Sequence, residues 1–324
     1  MIAKFLVWLL ATFALMPVPS VSAQQAKKVY RVGIVTLGFL LPEQTEAFRQ
    51  GIRDLGYVEG RDLVIDSRFA EGKLDRLSDL VAELLRLKPD VMVSNSTEAI
   101  QLIRDSSKST PVVMSSISDP LGSGLVASLA HPGGNITGLS LYSTELAGKR
   151  LELIKEAIPR VRHVALLLLR NHPPTRLLIP EMESAARAMK ITVKPVEIAT
   201  PDEYEKAIST IVRSRAGAMF VQNNTVFSPY RAITSLASKH RLATMGTAMG
   251  FVTGGGLMGY GPNATPMWRR SASFVDKILK GTKPADLPVE QPTQFEFGIN
   301  LKTAKQIGLT IPQSVLYRAD KVIK

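Results

Sequence analysis

Residues 254–263 read GGGLMGYGPN, and so glycine-rich a run is where backbone N–H groups can approach a phosphate. A phosphate loop also needs Lys-Ser or Lys-Thr behind its glycines, and none follows Gly261. Gly254, Gly256 and Gly259 match the G-x-G-x-x-G of dinucleotide sites. Leu257, Met258 and Tyr260, however, read as a strand that begins inside the motif, which leaves the glycines a backbone role. The histidines, His131, His163, His172 and His240, have no metal-ligand spacing. No G-x-S-x-G elbow is present, and nothing in the spacing of Asp119, Glu145, Asp202, Asp276 and Glu296 pairs them for acid–base work. The sequence contains no cysteine, so a thiol nucleophile, a disulfide and a Cys-based metal site are all excluded. The chain is expected to bind something rather than to turn it over, without metal or cofactor.

The polar loops are the better candidates. SNST (94–97) stands between a strand and a helix. Ser94, Ser96 and Thr97, with the helix N–H groups, either hold a carboxylate or other anion or simply cap the helix. SSISDP (115–120) follows the next strand, and there Ser116 and Asp119 either meet a ligand ammonium or cap the turn before Pro120. In the second half of the chain RNHPP (170–174) and QNNT (222–225) occupy similar places. Asn171 and Asn223 can each donate and accept, as a ligand-orienting residue or a turn residue would. Phe39, Tyr142, Phe227 and Phe251 are the aromatic residues available to cover an apolar part of a ligand, or to fill the core.

Alternating strands and helices must position these loops. A buried strand is predicted at 29–37 and further strands at 63–69, 90–94 and 111–115, with helices at 43–55, 74–87 and near 97–106 between them. A second series has strands at 163–169, 191–198, 217–222 and about 243–245. Its helices are predicted at about 175–189, 202–213, 229–239 and 247–252. LLRLKPDVMVSNST (84–97) and TIVRSRAGAMFVQNNT (210–225) share one plan: helix end, short strand, polar loop. The pattern predicts two α/β lobes with parallel sheets. Between them HPGG (131–134) breaks the chain before a short extended run, and a long helix opens near Ser143 or Thr144.

Composition limits what these lobes can meet. Hydrophobic residues at 45% and charged residues at 21% describe a globular chain. Lys4, the apolar run FLVWLLATFALM and the small residues VSA have the build of a secretory signal peptide, expected to be cleaved after Ala23. Without a cysteine to acylate, the exported chain cannot be a lipoprotein, and a disulfide-free exported protein suits the periplasm. The formal charge of +12 is spread along the chain rather than gathered in blocks, which argues against nucleic acid as a partner.

Four long segments resemble one family. AFRQGIRDLGYVEGRDLVIDSRFAEG, DPLGSGLVASLAHPGGNITGLS, GGGLMGYGPN and KILKGTKPADLPVEQPTQFEFGINLKTAKQIGLTIP are similar to ABC-transporter substrate-binding proteins, in the group that includes tryptophan- and tyrosine-binding members. The resemblance implies a type I periplasmic binding protein fold: two Rossmann-like lobes, three strand crossings and a ligand cleft between the lobes. Lobe 1 would comprise 24–140 and about 262–291, and lobe 2 about 141–261 and 292–324. NITGLS (135–140), GGGLMGYGPN and EQPTQFEF (290–297) would be the crossings, so the glycine run would be a hinge. Relatives commonly carry an aromatic-Asn pair where this chain has Arg170 and Asn171, and an Asp-Pro where it has QNNT. The acid that would meet a ligand ammonium is therefore missing from those lobe 2 loops.

The resemblance implies a monomeric receptor that takes a small molecule, such as an amino acid or related carboxylate, to an ABC permease in the inner membrane. A sensor presenting its closed lobes to a membrane receptor kinase is the alternative. A repressor of the same architecture would need a helix-turn-helix at the N-terminus, where the signal peptide sits instead.

Overall fold

The computed structural model describes residues 28–38, 40, 42–141, 145–222 and 230–324. The first strand, β1 (Tyr30–Thr36), is a β-branched run buried from Val32 onward, as a strand covered on both faces must be. Helix α1 (Pro42–Asp54) buries Phe48, Gly51 and Ile52 at helical spacing. The series continues with β2 (Leu63–Phe69), α2 (Leu77–Arg86), β3 (Val91–Ser94), α3 (Thr97–Ser106), β4 (Val112–Ile117) and β5 (Ile136–Ser140). These strands form one wholly parallel sheet in the order β2-β1-β3-β4-β5.

From Ser140 the chain crosses to a second sheet. Helix α4 (Ala147–Ala157) precedes β6 (His163–Leu169), α5 (Thr175–Ala188), β7 (Thr192–Ile198), α6 (Tyr204–Arg213) and β8 (Ala218–Val221). Then come α7 (Arg231–Lys239), β9 (Ala243–Gly246), α8 (Met249–Thr253) and β10 (Met258–Gly261). The long helix expected from Ser143 or Thr144 begins only at Ala147, because Glu145 and Leu146 form a turn; Ser143 and Thr144 lie outside the described residues.

After β10 the chain returns. Helix α9 (Ala264–Leu279) packs on α1, burying Trp268 edge-on against Phe48 with ring centroids 6.2 Å apart. Residues 287–290 then run beside β5: Ser140 N–H donates to the Glu290 carbonyl and Glu290 N–H to that of Gly138, both at 2.9 Å. The last crossing leads to β11 (Glu296–Asn300), α10 (Leu301–Ile307), α11 (Gln313–Leu316) and β12 (Lys321–Ile323). The second sheet has the order β12-β11-β10-β9-β8-β6-β7 and is parallel except where β11 meets β10. Parallel sheets were expected; this antiparallel pair arises because the chain re-enters the sheet from the cleft end.

Two lobes joined by three strand crossings is the architecture expected from the sequence. The glycine run starts after α8 and continues through β10, a helix-to-strand order that reverses that of a dinucleotide site. Its glycines allow close approach. A Cβ on Gly259 would meet the Ala248 carbonyl at 2.6 Å, and one on Gly261 would overlap the Thr247 carbonyl.

Candidate functional site

In an open parallel sheet, ligands sit beyond the carboxyl ends of the strands, where the strand order reverses. That point lies between β1 and β3 in the first sheet and between β6 and β8 in the second. The two points border one cleft of about 1190 Å³, lined from both lobes.

On the lobe 1 side, Asn95, Ser96, Thr97, Glu98 and Ser116 line the cleft. Ser94 is fully buried below them, and its Oγ accepts from Ser96 N–H at 3.0 Å, which fixes the loop. Ser96 is the N-cap of α3: its Oγ accepts from Ala99 N–H at 3.2 Å and donates to Glu98 Oε2 at 2.8 Å. The mouth of α3, which the sequence left as either an anion seat or a plain cap, is capped by Ser96 and already holds the protein's own carboxylate. Asn95 Oδ1 is buried without a hydrogen-bond partner among the described residues, which makes its amide an open handle on the cleft. Asp119 closes a turn by accepting Gly122 N–H at 2.8 Å.

On the lobe 2 side, His172, Tyr230, Thr247, Met249 and Arg150 line the cleft. Asn171 is exposed in a left-handed turn, with φ of 58°. Arg170 beside it points outward, its Nη2 3.1 Å from Glu203 Oε2. Phe251 belongs to the core, only 1% exposed, and meets the cleft residue Tyr230 edge-on at 5.2 Å between centroids. Burial pushes the Tyr230 hydroxyl up to about 12. Phe39, Tyr142, Asn223 and Phe227 lie outside the described residues.

Arg150 is fully buried. Its Nε donates to the Tyr260 carbonyl at 2.9 Å, and its guanidinium stands 6.0 Å from the Phe220 ring. Burial pushes it down to about 9, which leaves it charged at neutral pH. The side chain joins α4, where the chain enters lobe 2, to β10, where it leaves.

Glu98 and His172 meet across the cleft. His172 Nδ1 lies 2.6 Å from Glu98 Oε1, and the two side chains are 4% and 16% exposed respectively. Burial opposes ionisation of Glu98, but the bonds from His172 and Ser96 outweigh it and hold the carboxyl below its ordinary range. A carboxyl depressed on folding stabilises the protein above its unfolded pKa of about 4.3 and loses that contribution as the pH falls through the folded value. The melting temperature of Glu98→Gln should therefore fall below that of the natural protein at pH 7, and the gap should narrow at pH 3. Differential scanning calorimetry at the two pH values checks this, and an equal gap at both would contradict the assignment.

The sequence passes over Asn95, Glu98, Arg150, Tyr230 and Thr247, and His172 is noted there only for lacking metal-ligand spacing. One signal was available: Asn95 and Glu98 flank the Ser96-Thr97 pair that had been singled out. For Arg150 and Tyr230 no local motif marks the position.

Among the described residues no helix is long and apolar enough to cross a membrane, and no cluster of metal-ligating side chains occurs. Several known proteins share the architecture. A structure of a conserved domain protein from Vibrio cholerae superposes with a TM-score of 0.83 at 26% identity, covering 91% of this chain and 100% of the other. The ABC domain from Streptococcus pneumonia in complex with L-Trp gives 0.83 at 27% identity, again covering 91% and 100%. A tyrosine-binding protein of Clostridioides difficile is 24% identical over 270 residues, or 83% of this chain and 77% of that protein. A leucine-binding protein of Thermotoga maritima shares the fold alone, with a TM-score of 0.57 at 11% identity, covering 86% of this chain and 87% of the other. The fold is that of type I periplasmic binding proteins. The model of the ABC transporter substrate binding protein family matches residues 40–323, and this chain belongs to that family.

Proposed function

We propose that the protein is the exported receptor of an ABC importer, which binds an amino acid or related small carboxylate between its lobes and delivers it to an inner-membrane permease. One observation carries this reading: the two switch points border a single cleft whose walls combine amide and hydroxyl groups with an aromatic ring. Thr97, Ser116 and Thr247 hold polar groups of the ligand together with Asn95, and Tyr230 covers its apolar part. Ser96 acts through Glu98. The tryptophan and tyrosine named for two relatives support the amino-acid class. Binding to both lobes stabilises the closed form, which the permease recognises.

Thermal unfolding of the protein against tryptophan, tyrosine, phenylalanine, leucine and benzoate tests the ligand class. A ligand at about 100 times its Kd adds about 2.7 kcal/mol, a rise of several degrees. Thr97→Val should then weaken the bound compound about tenfold, the worth of one hydrogen bond. If none of these compounds raises the melting temperature of the folded, ligand-free protein, the amino-acid class is wrong. Stimulation of the permease ATPase by the liganded receptor in vesicles tests delivery.

A further inference from the structure

The contact between Glu98 and His172 is made entirely of protein atoms, yet it spans the cleft that a ligand must enter. Glu98 stands in the first turn of α3, immediately behind the lobe 1 switch point, and His172 lies in the loop that leaves β6 at the lobe 2 switch point. Nδ1 and Oε1 are 2.6 Å apart and both side chains are largely buried, so little solvent competes for the bond. Ser96 fixes the far oxygen of Glu98, which holds the carboxylate in place before His172 reaches it. A second apposition lies alongside. A Cβ added to Gly122 of lobe 1 would overlap the end of the Leu177 side chain in the first turn of α5, so the two lobes also touch here. Both contacts are made by the lobe 2 segment that follows β6.

We propose that Glu98 and His172 form a ligand-independent latch that holds the two lobes together, so that the ligand-free protein is mainly closed and ligand entry waits on breaking the bond. The pair are positioning residues. They set the ratio of closed to open forms, and with it the fraction of molecules a ligand can enter. A hydrogen bond to the Glu98 carboxylate in a buried seam should bias that ratio about ten- to a hundredfold. The latch belongs to the closed form on which the proposed receptor function depends, but its test requires no ligand. It can therefore fail while ligand binding is demonstrated, or hold where no tested compound binds.

The natural chain has no cysteine, so two introduced ones label cleanly. Asp105→Cys on α3 and Glu183→Cys on α5 place spin labels on exposed positions of the two lobes. Double electron–electron resonance on the ligand-free protein should show a mainly short distance. Glu98→Ala and His172→Ala should each shift the population toward a longer distance, lowering the closed-to-open ratio about ten- to a hundredfold. The double variant should open no further than either single one, because both changes remove the same bond. Cooperative unfolding by circular dichroism identifies folded variants, and if one single variant does not fold the other decides. The proposal is overturned by a mainly long distance before any substitution, by a folded single variant that keeps the short distance, or by a double variant whose opening is the sum of the two.

Discussion

Gly138→Ala is expected to cost about 3–5 kcal/mol, the sum of backbone strain at a disfavoured φ and overpacking against a neighbouring strand. Gly138 has a φ of 132°, which an L side chain rarely adopts. A Cβ there would meet Met114 N at 2.6 Å and overlap the Met114 carbonyl oxygen, and this is backbone of the adjacent strand β4 that cannot rotate aside. On its other side, Gly138 accepts from Glu290 N–H at 2.9 Å, so it is squeezed where the first and third crossings run together. The β4–β5 register also shifts between Met114 and Ile117, a local irregularity beside this point. Gly60→Ala is the control: φ is 86°, but nothing lies within 4 Å of the added carbon, and the expected cost is only about 1–2 kcal/mol. Urea unfolding of the two variants checks the difference. Equal losses would mean that the Met114 backbone yields and the overlap carries no cost.

Trp268 is the second position where a large effect is expected. It is fully buried, and it comes from α9, which returns from lobe 2 to complete the core beneath the first sheet. Truncation to alanine removes an entire indole from between Phe48 and the neighbouring apolar side chains, at a cost of about 3–5 kcal/mol. Trp268→Phe should be much milder, below about 1.5 kcal/mol. Trp268 Nε1 is buried without a hydrogen-bond partner among the described residues, so removing it offsets part of the volume lost. The pair of variants thus separates packing from polarity. If phenylalanine proved as damaging as alanine, the indole nitrogen would have to be engaged in a bond that matters.

The alternation of strands and helices was legible because both lobes bury their central strands on two faces. HVALLLL and VYRVGIVTL are the predominantly apolar runs that buried parallel strands require, and β1 and β6 occupy them nearly end to end. The last strands were harder to read. β11 has 5 residues and β12 has 3, too few for a period to show. The site was read in part, since its loops follow from strand ends but its side chains do not. Ser96 and Thr97 were visible as hydroxyls before a helix. Whether they face a ligand or their own helix is decided by Glu98, whose partner His172 lies 74 positions away. Phe251 illustrates the same limit. The short helix α8 folds it inward, and the ring on the cleft is instead Tyr230 at the start of α7, which no spacing in the sequence could announce.

The double return of the chain has a consequence for how the molecule comes to be folded. Lobe 1 begins at β1, yet its core lacks Trp268, Phe274 and Val275 until α9 has been synthesised. The Tyr57 hydroxyl must wait for Asp276, its acceptor at 2.9 Å and 219 residues further on. An emerging N-terminal segment therefore carries an exposed apolar face on α1 while the whole of β6 to β10 is still to be made. Contacts of such long sequence separation are slow to form, because the entropy of closing the loop is lost before any contact repays it. The nascent chain should stay unfolded and open to chaperones through most of its synthesis, and should fold only when nearly complete.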